Sequence, residues 1–188
     1  ELGKVKSRLA RDIGQKMALS VYEKLIKHTR NIVADLKIDK RVCYSNYIVH
    51  DDLWETGKFQ KRQQKGKDLG ERMHNAIATA FNEGYLKICV IGSDMIELEQ
   101  EVVIEAFHLL GQHDVVLGPA KDGGYYLIGV NAPQPILFEN KTWGTETVLA
   151  ETIADIKDMK LRFVMLPVLN DIDEIGDIRE RDRAYLLS

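Results

Sequence analysis

Leu86-Lys-Ile-Cys-Val-Ile-Gly-Ser-Asp94 is a nearly continuous apolar run that ends on a carboxylate. A strand buried on both faces reads this way, as in a parallel sheet with helices on either side. Asp94 then stands just past the strand's carboxyl end, where open α/β sheets bind ligands. It suits the cap of the next helix equally well, and the two roles can coexist.

Working outward, upstream apolar residues recur at Ile13, Met17, Val21 and Leu25, with Ala18 and Tyr22 beside them. That spacing predicts a helix with one buried stripe. Residues 41–49 read as a strand. The polar stretch 51–67, with Trp54 and Phe59 as isolated anchors, reads as a surface loop or short helix. Met73, Ile77 and Phe81 predict a further helix, with Asp68 as its cap. Downstream, 101–110 predicts a helix with Val102, Ala106, Leu109 and Leu110 inward. Two short runs, 114–117 and 125–130, read as strands joined by a loop. A helix capped by Thr145 or Thr147 follows, then a strand over 161–166 and a charged helix to Leu187. Such alternation predicts a three-layer α/β fold with a largely parallel sheet. The length of 188 residues fits a single domain over 1–188.

Composition excludes several functions. A formal net charge of -3 gives no electrostatic case for nucleic-acid binding. No apolar run approaches the ~20 residues of a membrane span, and residues 1–4 do not read as a signal peptide. A cytoplasmic protein is expected. Cys43 and Cys89 sit in apolar strand-like runs and read as reduced core thiols. The histidines show no metal-ligand spacing.

The loop between the paired strands, Gly118-Pro-Ala-Lys-Asp-Gly-Gly-Tyr-Tyr-Leu-Ile-Gly129, carries Asp122 beside Gly123 and Gly124. A carboxylate next to bare backbone suits a ligand edge; it also suits a turn in which Asp122 caps its own backbone. At the amino end Lys4, Lys6 and Arg8 alternate with Val5 and Ser7. If Ser7 opens a helix, three cations gather where anions are already favoured. The other reading is a solvated basic terminus. Asp171 and Asp173 lie two apart, so an extended segment puts both carboxylates on one side and Ile172 on the other. Two hard oxygen ligands suit Mg²⁺, which takes one or two carboxylates plus substrate phosphates. They also suit acids at a helix start.

Taken in order, residues 3–9, Asp68-Leu-Gly-Glu-Arg-Met73, Gly92-Ser-Asp94, the 118–129 motif, Trp143 and Asp171-Ile-Asp173 resemble one bacterial family. It is the small GT-A-fold, nucleotide-diphospho-sugar transferase-like (glycosyltransferase-like) family. More distantly, the chain is similar to the guanylyltransferases acting on molybdenum cofactor and 2-phospho-lactate. The resemblance implies a Rossmann-like three-layer fold, an activated nucleotide substrate and Mg²⁺ or Mn²⁺. By position it implies Lys4, Lys6 and Arg8 on the nucleotide phosphates, and Gln64, Gly70 and Arg72 near the base. Asp94 becomes a catalytic acid that binds metal or ribose, and Asp173 the second metal acid, with Asp171 as partner. Asp122, Gly123, Gly124, Tyr125 and Trp143 fall on the acceptor side, Asp122 with a catalytic role.

Three features depart from the family pattern. Such folds open with a strand before the basic loop, and about five or six residues of it are expected ahead of residue 1. Met95-Ile96 follows Asp94 where Pro is usual. Only one acid stands in Gly92-Ser-Asp94, where sugar transferases carry an acid pair. Three functions follow as expectations: transfer from a nucleoside diphosphate-sugar, nucleotidyl transfer with release of pyrophosphate, or nucleotide binding without turnover.

Overall fold

The structure, a computed structural model, describes residues 6–188. Helices α1 (Ser7–Ile13) and α2 (Gln15–Ala34) are separated by Gly14, at φ 80°, a conformation glycine adopts without a β-carbon clash. The apolar stripe predicted from Ile13 is there, but it belongs to α2, which buries Ala18, Val21 and Leu25 and runs on to Ala34.

Strand β1 (Arg41–Tyr44) pairs in parallel with β2 (Gln60–Gln63). The second strand falls in the stretch expected to be a loop or helix. Its sequence, Gln-Lys-Arg-Gln, has no apolar alternation, so no pattern announces it. Side-chain bonds fasten it instead. The Lys61 ammonium donates to the carbonyls of Val49 and His50 and to Asp52 Oδ1, at 2.8–2.9 Å. Asp52 also accepts from the Tyr44 hydroxyl and from the Trp54 amide. Burial pushes the Asp52 carboxyl up, but these donors outweigh it and hold the group below its ordinary value. A depressed carboxyl stabilises the fold above its unfolded pKa, near 4, and loses that contribution as pH falls through the folded value. The parent should therefore melt above Asp52→Asn at neutral pH, and thermal melts from pH 7 downward should show the gap closing below about pH 4. A constant gap would place Asp52 outside this network.

Helix α3 (Leu69–Asn82) begins as predicted, with Asp68 Oδ1 accepting from the Glu71 amide at 2.8 Å. The second sheet holds β3 (Ile88–Ile91), β4 (Val115–Pro119), β5 (Tyr125–Val130) and β6 (Phe163–Met165), in the order β3-β5-β4-β6. Here the expectation of a largely parallel sheet is met only in part. Strands β3, β4 and β6 run in one direction, but only β4 and β6 are bonded as a parallel pair, because β5 lies antiparallel to both its neighbours. The tight loop 120–124 leaves no room for a crossover, so β4 and β5 form a hairpin, and β5 inserts between β3 and β4. The sheet is mixed and small. Strand β3, expected to be buried on both faces, is only half-buried. Its second edge carries no strand among the described residues, and β1–β2 forms a separate sheet.

Residues of β4 and β5 face two cores, alternating over 115–117 and from Leu127 onward. Val116, Leu127 and Tyr126 pack with Val33 of α2 and Val103 and Ala106 of α4 (Gln100–Leu109). Val115, Leu117, Ile128 and Val130 pack with Ile77 of α3 and Ile156 of α5 (Val148–Asp158). These are the three layers the alternation predicted. A third cluster joins Leu9, Val21 and Leu25 to Ile172, Ile178 and Leu186, the last on α6 (Glu180–Leu186). It lays the amino-terminal helices against the segment after β6, and so brings residue 6 to residue 173. Cys43 and Cys89 are free and partly buried, and burial pushes the Cys89 thiol up to about 12. No helix among the described residues is long and apolar enough to cross a membrane.

Candidate functional site

Three segments far apart in sequence meet at the carboxyl end of β3. The Lys6 ammonium donates to Asp94 Oδ2 at 2.6 Å and to Asp173 Oδ1 at 2.8 Å. Its side chain is 5% exposed, whereas those of Asp94 and Asp173 are 42% and 40% exposed. Burial pulls the ammonium down, but the two carboxylates outweigh it and hold it above the ordinary lysine value. Lys6 sits in the left-handed region, at φ 48° and ψ 51°, immediately before α1. For a residue with a β-carbon that conformation costs about 1–2 kcal/mol, and such strain clusters at functional sites.

Each acid is placed by its own segment. Asp94 follows the β3 turn, and its carbonyl accepts from the Ile172 amide at 3.2 Å. The cap of α4 is Glu99, so Asp94 does not serve as that helix's cap. Asp173 lies in the extended stretch after β6, with Ile172 buried and both neighbouring carboxylates half-buried, as the spacing predicted. Asp177 Oδ2 accepts from the amides of Asp173 and Glu174, at 3.0 and 2.7 Å. Glu97, 8% exposed, accepts from the Asn170 amide and pairs with Arg179 and Arg181. It ties the 170–181 segment to the turn that carries Asp94.

Asp171 and Asp122 join this neighbourhood. The bridge between Ala120 and Leu169 lays the 120–124 loop beside the 169–173 stretch. Burial, then the Asp122, Asp173 and Asp177 charges, push the Asp171 carboxyl up to about 6. Asp122 Oδ1 accepts from the Gly124 amide at 2.8 Å, so it does cap its own turn. Gly123, at φ 88°, faces the Glu146 backbone. Sequence reasoning missed two neighbours of the acid pair. Ser93 Oγ donates to Asp94 Oδ1 at 3.3 Å. Tyr22 of α2 lies close enough that burial and the Asp94 charge raise its hydroxyl pKa. Its only signal was a place beside the helical stripe.

Of the other expected residues, Arg8 alone reaches the edge of this cluster among those described. Lys4 lies outside the described residues. Arg8 is 58% exposed and 3.8 Å from Asp173 Oδ2. Gln64 donates to the Cys43 carbonyl at 3.0 Å, and Arg72 Nε to the Gly66 carbonyl at 3.1 Å, so both fasten the 64–72 loop. A β-carbon on Gly70 would lie 2.5 Å from Trp143 Nε1, which explains the glycine by packing. Trp143 in turn meets the Tyr125 ring edge-on at 6.4 Å and lines a polar surface cavity of about 490 Å³ with Asp68, Glu71, His74 and Asn140.

The donor chemistry fits a divalent cation of limited kind. Two carboxylates converge on one point, with one oxygen of each not bonded to Lys6. Among the described residues no group of three or more His, Cys, Asp or Glu side chains could hold a metal unaided. A cation held by two carboxylates and completed by substrate phosphate matches this set.

The architecture has a solved counterpart. A protein from Desulfovibrio desulfuricans G20, provisionally named a nucleotide-diphospho-sugar transferase, superposes with a TM-score of 0.84 at 31% identity. The match covers 97% of this chain and 85% of that one. No curated protein matches. A family model described as "Uncharacterized protein conserved in bacteria (DUF2064)" matches residues 26–145. The chain therefore belongs to this bacterial family and shares the nucleotide-diphospho-sugar transferase fold of its solved counterpart.

Proposed function

We propose that the protein transfers a sugar from a nucleoside diphosphate-sugar with the help of Mg²⁺ or Mn²⁺. The observation that carries this is the convergence of Asp94 and Asp173 on Lys6 Nζ, at the carboxyl end of a sheet strand. The solved counterpart's name supports it. Asp94 and Asp173 would hold the metal, with Asp171 beside them. When bound, the cation neutralises a departing diphosphate. Arg8, exposed and only loosely engaged, is free to pair with that diphosphate through its guanidinium fork. Asp122 has one oxygen committed to Gly124, which leaves the other to orient an acceptor hydroxyl. Gly123, Gly124, Tyr125 and Trp143 would line the acceptor side.

Nucleotidyl transfer from a triphosphate uses the same site but needs more cationic charge. Engagement of Lys6 with the acids favours the diphosphate-sugar. A thermal-shift panel of nucleoside mono-, di- and triphosphates and nucleotide-sugars, each with and without Mn²⁺, tests the choice. A ligand at a hundred times its Kd adds about 2.7 kcal/mol, or about 5–10 °C for a chain of this size. A Mn²⁺-dependent shift with one nucleotide-sugar is the expected result. A shift with a triphosphate alone reassigns the reaction to nucleotidyl transfer, and no shift at all removes the nucleotide reading.

A further inference from the structure

Family position would put Lys6 on nucleotide phosphates. The geometry points elsewhere. We propose that Lys6 is a positioning residue: its ammonium ties Asp94 and Asp173 together from the buried side, so that their other oxygens form one edge for a divalent cation. This rests on the metal-dependent reading above and adds to it how the edge is built.

Exposure decides between the possible roles. If Lys6 stood in the cation's place at the mouth of the site, it would be the exposed member of the trio. It is the buried one, at 5% against 42% and 40% for its partners. A phosphate ligand would also need a free, accessible donor, and this ammonium is committed to two carboxylates at 2.6 and 2.8 Å. The bonds are divided in a telling way. Lys6 takes Oδ2 of Asp94 and Oδ1 of Asp173. The oxygens left over have weak company: Asp94 Oδ1 has Ser93 Oγ at 3.3 Å, and Asp173 Oδ2 has Arg8 at 3.8 Å.

Charge explains why such a tie is needed. Asp94 and Asp173 come from segments 79 residues apart, after β3 and after β6, and two carboxylates at close quarters repel. One buried cation between them offsets the repulsion. With Asp171 and Asp122 nearby, the carboxylates outnumber Lys6 and Arg8, and the negative edge that remains draws a divalent cation. Outer groups that orient metal ligands are as much a part of such sites as the ligands themselves. Lys6 also holds a left-handed backbone just before α1, so its place is fixed by the turn as well as by its partners.

Mn²⁺ titration followed by electron paramagnetic resonance tests this on the parent, Lys6→Met and Lys6→Arg. The expected result is that Lys6→Met weakens Mn²⁺ binding by about 10–100-fold, the range for loss of an orienting group. Lys6→Arg should recover part of it. Binding of a nucleoside diphosphate without metal should be unchanged in Lys6→Met, where loss of a phosphate ligand would weaken it. Lys6→Met binding Mn²⁺ as tightly as the parent, or more tightly, overturns the tie. A parent that binds no Mn²⁺, with or without nucleotide, overturns the metal-dependent reading itself. If Lys6→Met does not fold, crystals of the parent soaked in Mn²⁺ decide. The tie requires the metal on the outer oxygens with Lys6 still bonded to the inner ones; an ammonium displaced by the metal refutes it.

Discussion

Asp94→Asn is expected to lower turnover by about a thousandfold, roughly 4 kcal/mol of transition-state stabilisation, while the protein still unfolds cooperatively. Asn has the shape of Asp and can still accept from Lys6, so the turn after β3 is kept. The Asp94 carbonyl, which receives the Ile172 amide, is untouched. What is lost is one of two charges on the proposed metal edge. Because Asp94 is half-exposed and Lys6 keeps Asp173, the stability cost is only about 1 kcal/mol. The assay uses whichever donor the thermal-shift panel identifies, with circular dichroism melts alongside. A variant as active as the parent would place Asp94 outside the reacting centre. A variant that is inactive because it is unfolded would show it in the melt.

The parts of this site that sequence reasoning reached are those written in local patterns. The short apolar runs 114–117 and 125–130 read as strands and form β4 and β5, and the loop between them announces itself by Pro119, Gly123 and Gly124. Asp68 before an apolar helical stripe is a cap, and the Glu71 amide bonds to it. Asp171-Ile-Asp173 puts Ile172 inward because an extended chain alternates faces. The rest depends on pairing between distant segments. Nothing in the Gln60–Gln63 run signals a strand, since its support is the Lys61–Asp52–Tyr44 network rather than burial. The polarity of the sheet is set by where a hairpin inserts, which periodicity does not encode.

Lys6 shows the limit most plainly. Three cations before a helix read as an anion site, and charge alone supports that. Which of them is buried against carboxylates is decided by the third core cluster, where Leu9 and Val21 meet Ile172 and Ile178. That packing turns a phosphate-binding expectation for Lys6 into a contact with Asp94 and Asp173. Gly70 makes the same point from the other direction. Read as part of a nucleotide loop, it lies where a side chain would collide with Trp143.

Gly123→Ala should be the most destabilising single-methyl change in the 118–129 motif. Two independent terms meet at this position. Its φ of 88° is one that residues with a β-carbon rarely adopt, which costs about 1–2 kcal/mol. A β-carbon there would also lie 2.5 Å from the Cα of Glu146. The neighbour is backbone rather than a flexible side-chain tip, and it leads directly into α5. The Gly123 carbonyl accepts from the Leu149 amide at 3.0 Å, so backing away would break a bond at the start of that helix. Forcing a methyl into such a contact adds about 1–3 kcal/mol. The sum, about 2–5 kcal/mol, corresponds to a melting-point loss of about 5–15 °C. Gly144→Ala separates the terms. Gly144 has a similar φ of 81°, but nothing lies within 4 Å of its virtual β-carbon. It should lose only the conformational part, about 1–2 kcal/mol. If the two variants melt together, the Glu146 contact contributes nothing, and the 120–124 loop is not braced against α5. If Gly123→Ala falls well below Gly144→Ala, the brace is real, and the loop that carries Asp122 owes its place to the absence of one methyl group.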